Sequence, residues 1–225
     1  AREFRSTVQN VTATGDVSAA GTHVGGLIGD IRARGNDMVE LTDAHATGDV
    51  NTTHGGGGNV FIGGLVGRFH HSNHLTDVSA TGTVTSTTGS YAGGLIGQWV
   101  PQLASREVVN VTASGDVTSD SGNYIGGLFG RHHTGRQITN VSATGDVIAD
   151  GAYVGGLIGH TRASITDATA TGDVTSASGS YIGGLVGNLN AREFRTTVEN
   201  VTATGDVSAA GTHVGGLIGD IRARG

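Results

Sequence analysis

The chain has 225 residues, with 13 Arg and no Lys against 19 acidic side chains, no Cys and a net charge of −6. This balance argues against a nucleic-acid partner, the missing Cys excludes a disulfide framework, and no apolar run reaches the roughly 18 residues of a membrane span. Glycine supplies 41 residues against a single Pro, which excludes collagen, and a hydrophobic content of 36% is too high for a flexible linker.

The N-terminus AREFRSTVQN has no apolar stretch of the kind that begins a secretion signal. A first residue of Ala rather than Met implies a processed product or a piece of a longer chain. The first predicted strand is Val11-Thr12-Ala13-Thr14-Gly15-Asp16-Val17-Ser18, where small or apolar residues alternate with polar ones and Val11, Ala13 and Val17 point inward. The next strand-like segment surrounds Gly25-Gly26-Leu27-Ile28-Gly29, and its counterpart Tyr181 to Gly187 shows the same β-branched and aromatic character. Helix is disfavoured, because each interior Gly costs about 1 kcal/mol relative to Ala. Leu27 has opposite parity to Val24 and Ile28. Either the Gly pair makes a bulge that resets the phase, or the outer face packs on another solenoid.

Both elements recur along the chain. GGLxG starts at Gly25, Gly63, Gly93, Gly126, Gly155, Gly183 and Gly215, and ATGDV or a near copy starts at Ala13, Ala46, Ala80, Ala113, Ala143, Ala170 and Ala203. Seven units of about 32 residues fill the chain as one array over 1–225, with no second domain. Residues 191–225 copy 1–35 at 33 of 35 positions, so a six-unit block of 190 residues recurs. The natural array is therefore expected to continue past Gly225. Insertions fall chiefly between Gly-Gly and the following ATGDV, with one exception, the run His54 to Gly58.

Two or three short strands per unit, with Gly or Asx at the bends, describe one coil of an all-β solenoid, parallel-β-helix-like, with coils about 4.8 Å apart. WD-type propeller blades need about 40 to 45 residues, which these units lack. Stacking turns recurrent residues into files. One is Leu27, Leu65, Leu95, Leu128, Leu157, Leu185 and Leu217; a second is His23, Phe61, Tyr91, Tyr124, Tyr153, Tyr181 and His213. A third, Asn10, Asp43, Asp77, Asn110, Asn140, Asp167 and Asn200, is expected to bond backbone at a turn.

GGLIG at Gly25, GGLVG at Gly63 and GGLFG at Gly126, each paired with an ATGDV-like strand, resemble the GLUG-motif repeats of large secreted or surface-anchored bacterial and archaeal proteins. Adhesins similar to filamentous haemagglutinin are among these. The resemblance covers essentially the whole chain and implies an extracellular β-solenoid with no catalytic residues to carry over. Thr83 in place of Asp and the Gly insertion of the second unit depart from it.

The remaining candidates for chemistry are weak. The calcium nonapeptide is absent, because the third Gly comes one place late in Gly25-Gly26-Leu27-Ile28-Gly29-Asp30. Asp16, Asp49, Asp116, Asp146, Asp173 and Asp206 read as solvated turn aspartates rather than a cation site, and His70, His71, His74, His132, His133 and His160 as exposed polar residues. There is no Cys and no GxSxG elbow for nucleophilic catalysis. A polysaccharide-active β-helix would break the repeat with a local polar cluster, and no unit stands apart. Outward files such as Thr12/Thr14 and Thr202/Thr204 are similar to those of ice-binding solenoids, although His45 interrupts one. Asn10, Asn51, Asn110, Asn140 and Asn200 begin N-x-S/T and are candidate N-glycosylation acceptors, or structural turn residues where Asp replaces Asn. Phe69, Trp99, Arg131 and Arg162, read as loop residues, are the candidate contacts to a ligand or neighbouring chain.

The sequence thus predicts a non-catalytic structural or adhesive repeat protein, outside the cell or on its surface, forming a rigid rod or a self-assembling filament. Its expected partners are copies of itself, and cell-surface or glycan ligands at variable loops. No cofactor, metal, nucleic acid or membrane span is expected.

Overall fold

The computed structural model describes residues 4–35, 37–53, 58–70, 74–100, 108–133, 137–191 and 196–223. His71, Pro101 and most of the glycine insertion, at 54–57, lie outside the described residues.

Each unit supplies four strands. In the first unit they are Arg5–Ala13, Val17–Ala19, His23–Gly25 and Ile28–Arg32. Corresponding strands from the seven units join into four seven-stranded sheets, each ordered as the units are ordered along the chain. Every pairing is parallel and in register, as in Val11↔Ala44, Ala44↔Val78 and Gly93↔Gly126. One unit is therefore one coil, and the molecule is an all-β solenoid. The expectation of two or three strands per unit is corrected to four, because two corners divide segments that read as single strands: the predicted strand Val11 to Ser18 breaks at 14–16, between Arg5–Ala13 and Val17–Ala19, and the GGL segment breaks at Gly26 and Leu27.

That corner also removes the parity conflict at Leu27. The chain ends one strand at Gly25, bends through Gly26 and Leu27, and opens the next at Ile28. Both sides of the bend are interior. Leu65, Leu95, Leu128, Leu157 and Leu185, all 0% exposed, join a core between the first and fourth sheets. Val24, Ile62, Ala92, Ile125, Val154 and Ile182 face a second core against the second sheet. Neither a phase-resetting bulge in one strand nor an outer partner is needed.

The three glycines of the motif each permit a different close approach, seen in the third unit. A Cβ on Gly93 would lie 2.2 Å from the Ile96 carbonyl oxygen, one on Gly97 2.7 Å from Ile62 N and O, and one on Gly94 2.1 Å from the Gly127 oxygen of the next coil. The turn at the corner, the contact between the third and fourth sheets, and the coil-to-coil stacking all require bare backbone.

The Asx file is placed differently from expectation. Asn10, Asp43, Asp77, Asn110, Asn140, Asp167 and Asn200 stand inside the first-sheet strands, not at turns, with φ between 50 and 58°. Asn and Asp are the side chains that tolerate this left-handed state best after Gly. The kink changes the alternation, so residues three apart, such as Leu75 and Val78, both reach the core. The side chains bond one another rather than backbone: the Asn110 Nδ2 donates to Asp77 Oδ1 at 2.8 Å, Asn140 to Asn110 at 2.5 Å and Asn200 to Asp167 at 3.1 Å. Asp suffices at some stations because it need only accept. Asn140→Ala removes one such bond and places in the left-handed region a residue that tolerates it less well than Asn, a loss of about 2 kcal/mol in urea unfolding; Asn140→Gly suits the backbone and loses about half as much.

Burial depends on the neighbouring coil. Val24 and Ile31 are 3% and 7% exposed beneath the second unit, whereas their copies Val214 and Ile221 in the seventh are 43% and 61% exposed.

Candidate functional site

The fold places one polar and aromatic surface along the rod, where the start of the third sheet meets the outer side of the fourth. The aromatic file stacks without interruption. Ring centroids are 4.9 Å apart for His23 and Phe61, 4.8 Å for Phe61 and Tyr91, 5.1 Å for Tyr91 and Tyr124, and 4.9 Å for both Tyr124–Tyr153 and Tyr153–Tyr181. His213 closes it at 4.7 Å from Tyr181. Among the tyrosines the planes differ by only 5–7°, because coil spacing in a parallel sheet, about 4.8 Å, is close to a ring-stacking distance. Burial raises the Tyr124 hydroxyl pKa above its usual value, against the opposing pull of Arg131.

Two files of the fourth sheet run beside the rings. The first is Asp30, Arg68, Gln98, Arg131, His160, Asn188 and Asp220; the second is Arg32, His70, Val100, His133, Arg162, Asn190 and Arg222. Arg68 lies 5.2 Å over Phe61, Arg131 5.2 Å over Tyr124, and Arg222 4.9 Å over Tyr181. His160 bonds Asn188 Oδ1 through Nδ1 at 2.8 Å and meets Tyr124 and Tyr153 edge-on. Its pKa falls to about 4 through burial and the charge of Arg131, and that of His133 falls to about 4 through burial, Arg131 and Arg162. Arg32 pairs with Asp30, and Arg222 with Asp220 at 2.7 Å. Among the described residues Arg68, Arg131 and Arg162 have no carboxylate partner, and each has a buried Nε without an acceptor.

Between the two files lies an inward station that corrects the loop assignments. Ile31, Phe69, Trp99, His132, Thr161, Leu189 and Ile221 occupy it in succession. Phe69 and Trp99 are strand residues buried in the first core, with centroids 5.4 Å apart, and are not free for a ligand. His132 is likewise fully buried rather than an exposed loop histidine, edge-on to Trp99 at 5.1 Å, and burial drives its pKa to about 3. His160, also expected to be an exposed loop residue, is a buried strand residue instead. Arg131 and Arg162 do reach the surface, from a strand and from its end.

The turn aspartates form a second file on the corner between the first and second sheets. Asp16 Oδ1 accepts the Asp49 N–H at 2.9 Å, and Asp116 and Asp146 accept those of Asp146 and Asp173 at 2.8 Å. Each carboxylate satisfies a backbone donor of the next coil while remaining exposed. Among the described residues no three His, Asp or Glu side chains are grouped to hold a metal ion.

One constellation escaped the sequence because it bridges two coils. His45 Nδ1 meets Ser79 Oγ at 2.8 Å, and its Nε2 meets Asp43 Oδ1 at 2.9 Å. The order matches a hydrolytic triad, but the three residues lie along paired first-sheet strands, whose backbone serves parallel pairing. It continues the outer file Thr12, His45, Ser79, Thr112, Ser142, Thr169 and Thr202. Of the N-x-S/T asparagines, Asn10, Asn110, Asn140 and Asn200 belong to the kinked Asx file, and Asn51 stands outward in mid-strand on Val50–Thr52. Surface hollows of about 270 Å³ beside Phe4, Arg32 and Met38, and of about 200 Å³ beside Arg5, Glu40 and His74, are open and shallow.

Comparison with known proteins agrees with this architecture. The GLUG motif matches residues 150–175 and 178–208. Halomucin of Haloquadratum walsbyi (strain DSM 16790 / HBSQ001) is 54% identical over 129 residues, which is 57% of this chain. The chain spans about 1% of the length of that relative. No solved structure matches it. The matched segments are GLUG-motif repeats and hold the same glycines, kinked Asx residues and stacked rings as the other units of this β-solenoid.

Proposed function

We propose that this chain is a stretch of a non-catalytic structural rod, displayed on or outside the cell, whose purpose is reach and stiffness. The observation that carries the reading is the unbroken parallel register of all four sheets through seven coils. Repetition has been spent on the axial contacts, while the outward stations vary. The similarity to halomucin, a very much longer protein, supports a long array. Self-association into filaments, and adhesion to cell-surface or glycan ligands, belong to the same proposal. Adhesion would use outward side chains and the connecting loops, since Phe69 and Trp99 are consumed by the core. Glycans on any of the five N-x-S/T asparagines would project from the rod, and intact mass reads them directly.

Electron microscopy of the native material tests the reading. Rods are expected, with a coil spacing of about 4.8 Å and a six-coil repeat of about 29 Å. Compact particles would overturn it.

A further inference from the structure

The outer side of the fourth sheet has an unusual charge balance for a molecule of net charge −6. From the second to the sixth coil its two outward files contain Arg68, His70, Arg131, His133, His160 and Arg162 and no carboxylate. Arg68, Arg131 and Arg162 have no ion-pair partner among the described residues, whereas Arg32 and Arg222 at either end do. The depressed pKa values of His133 and His160 record the same uncompensated positive field, added to burial. Guanidinium groups hold carboxylates as planar forks, with a directionality that ammonium groups lack.

The chain carries the complement of this strip on another side. Asp16, Asp49, Asp116, Asp146, Asp173 and Asp206 are exposed on the corner between the first and second sheets. One oxygen of each of the first five is fixed by an N–H of the following coil, at 2.8–2.9 Å, and the second remains to accept a partner. The first core separates the fourth sheet from the first, so one copy can offer both surfaces at once. The two files also share a pitch, since both advance by one coil.

We propose that the arginine strip of the fourth sheet docks on the aspartate corner of a second copy of this chain, joining rods side by side. The inference rests on the reading of the chain as a structural rod and names the surface by which rods bundle. Equal pitch lets parallel rods meet coil against coil, and with like coils aligned Arg68, Arg131 and Arg162 stand opposite Asp49, Asp116 and Asp146. The contact is heterologous, one surface per partner, so it leaves further copies free to add.

Sedimentation velocity and small-angle scattering on the full 225-residue chain test this. Species more than one rod wide are expected at about 0.1 M salt, declining at about 1 M, where the screening length falls from about 10 to about 3 Å. Two triple variants, Arg68→Gln with Arg131→Gln and Arg162→Gln, and Asp116→Asn with Asp146→Asn and Asp173→Asn, should each weaken lateral association about tenfold or more. Asn retains the oxygen that accepts the next coil's N–H, and circular dichroism checks that both variants fold. Mixed together they should pair, because each keeps the surface the other lacks. Single rods at low salt, or variants that associate as the parent does, would overturn the proposal while leaving the rod reading intact; compact particles would remove both. Retention of hyaluronate by the parent chain but not the arginine variant, without self-association, would overturn it in favour of a polyanionic polysaccharide.

Discussion

Gly127→Ala is expected to abolish stable folding, with a loss above about 4 kcal/mol in denaturant unfolding followed by circular dichroism. The new Cβ would sit 2.1 Å from the Gly156 carbonyl oxygen and 3.0 Å from the Ala143 Cβ. The first contact is with backbone hydrogen-bonded into a parallel ladder, so no rotamer change relieves it. Moving it means separating the fourth coil from the fifth, which breaks Leu128 N–H to Leu157 O at 2.8 Å and uncovers both leucines. The same substitution at the equivalent station of the seventh unit, Gly216→Ala, meets nothing within 4 Å and should change stability by less than about 0.5 kcal/mol. An equal loss at both positions would mean that the glycine acts through backbone flexibility rather than through the adjoining coil.

Acid is expected to loosen the array through His132. Its folded pKa, about 3, lies below the 6.5 of the unfolded chain, so between those values the unfolded state binds the extra proton. Stability from this group is complete above about pH 6.5 and falls as the pH drops toward 3, by roughly 5 kcal/mol over the interval. The imidazole has Trp99 and Phe129 around it, a 3.4 Å contact from Nδ1 to Thr161 Oγ1, and no partner at Nε2. His133 and His160 change in the same direction, and the nearby Arg131 and Arg162 oppose protonation of both. His132→Phe should flatten the pH dependence of the denaturation midpoint between pH 6.5 and 4, leaving His133, His160 and the carboxylates to account for what remains. An unchanged profile would show that water reaches the ring.

The period, the solenoid and the aromatic file were legible in the sequence because each coil faces copies of itself. A side chain that suits one interface is then selected at every interface, which produces the seven leucines and the Tyr91 to Tyr181 run. The second core was not legible, since hydrophobic parity presumes one strand with one inside, and the GGL corner provides two. Phe69, Trp99 and His132 were misplaced for a related reason. Their station varies from Ile31 to Thr161, and variation reads as exposure, yet it is buried throughout the middle coils. What is held constant there is burial, since each side chain at the station is covered by the coils on either side whatever its size or polarity. The Asx kinks have a similar origin. Asn at a turn and Asn at φ near 53° in mid-strand present the same residue, and only the spacing of apolar positions on either side distinguishes them.

The dependence of Val24 and Ile31 on the coil above them, set against Val214 and Ile221, bears on how such a chain grows over generations. No coil owns its interior; each lends half to the neighbour on either side. Unequal recombination that adds or deletes whole units therefore keeps the same backbone register at the new junction, with the motif glycines and leucines again meeting their own kind. The near-identity of residues 191–225 with 1–35 is the trace such an event leaves. A gene of this kind can change the length of its product as freely as a wall gains courses of brick.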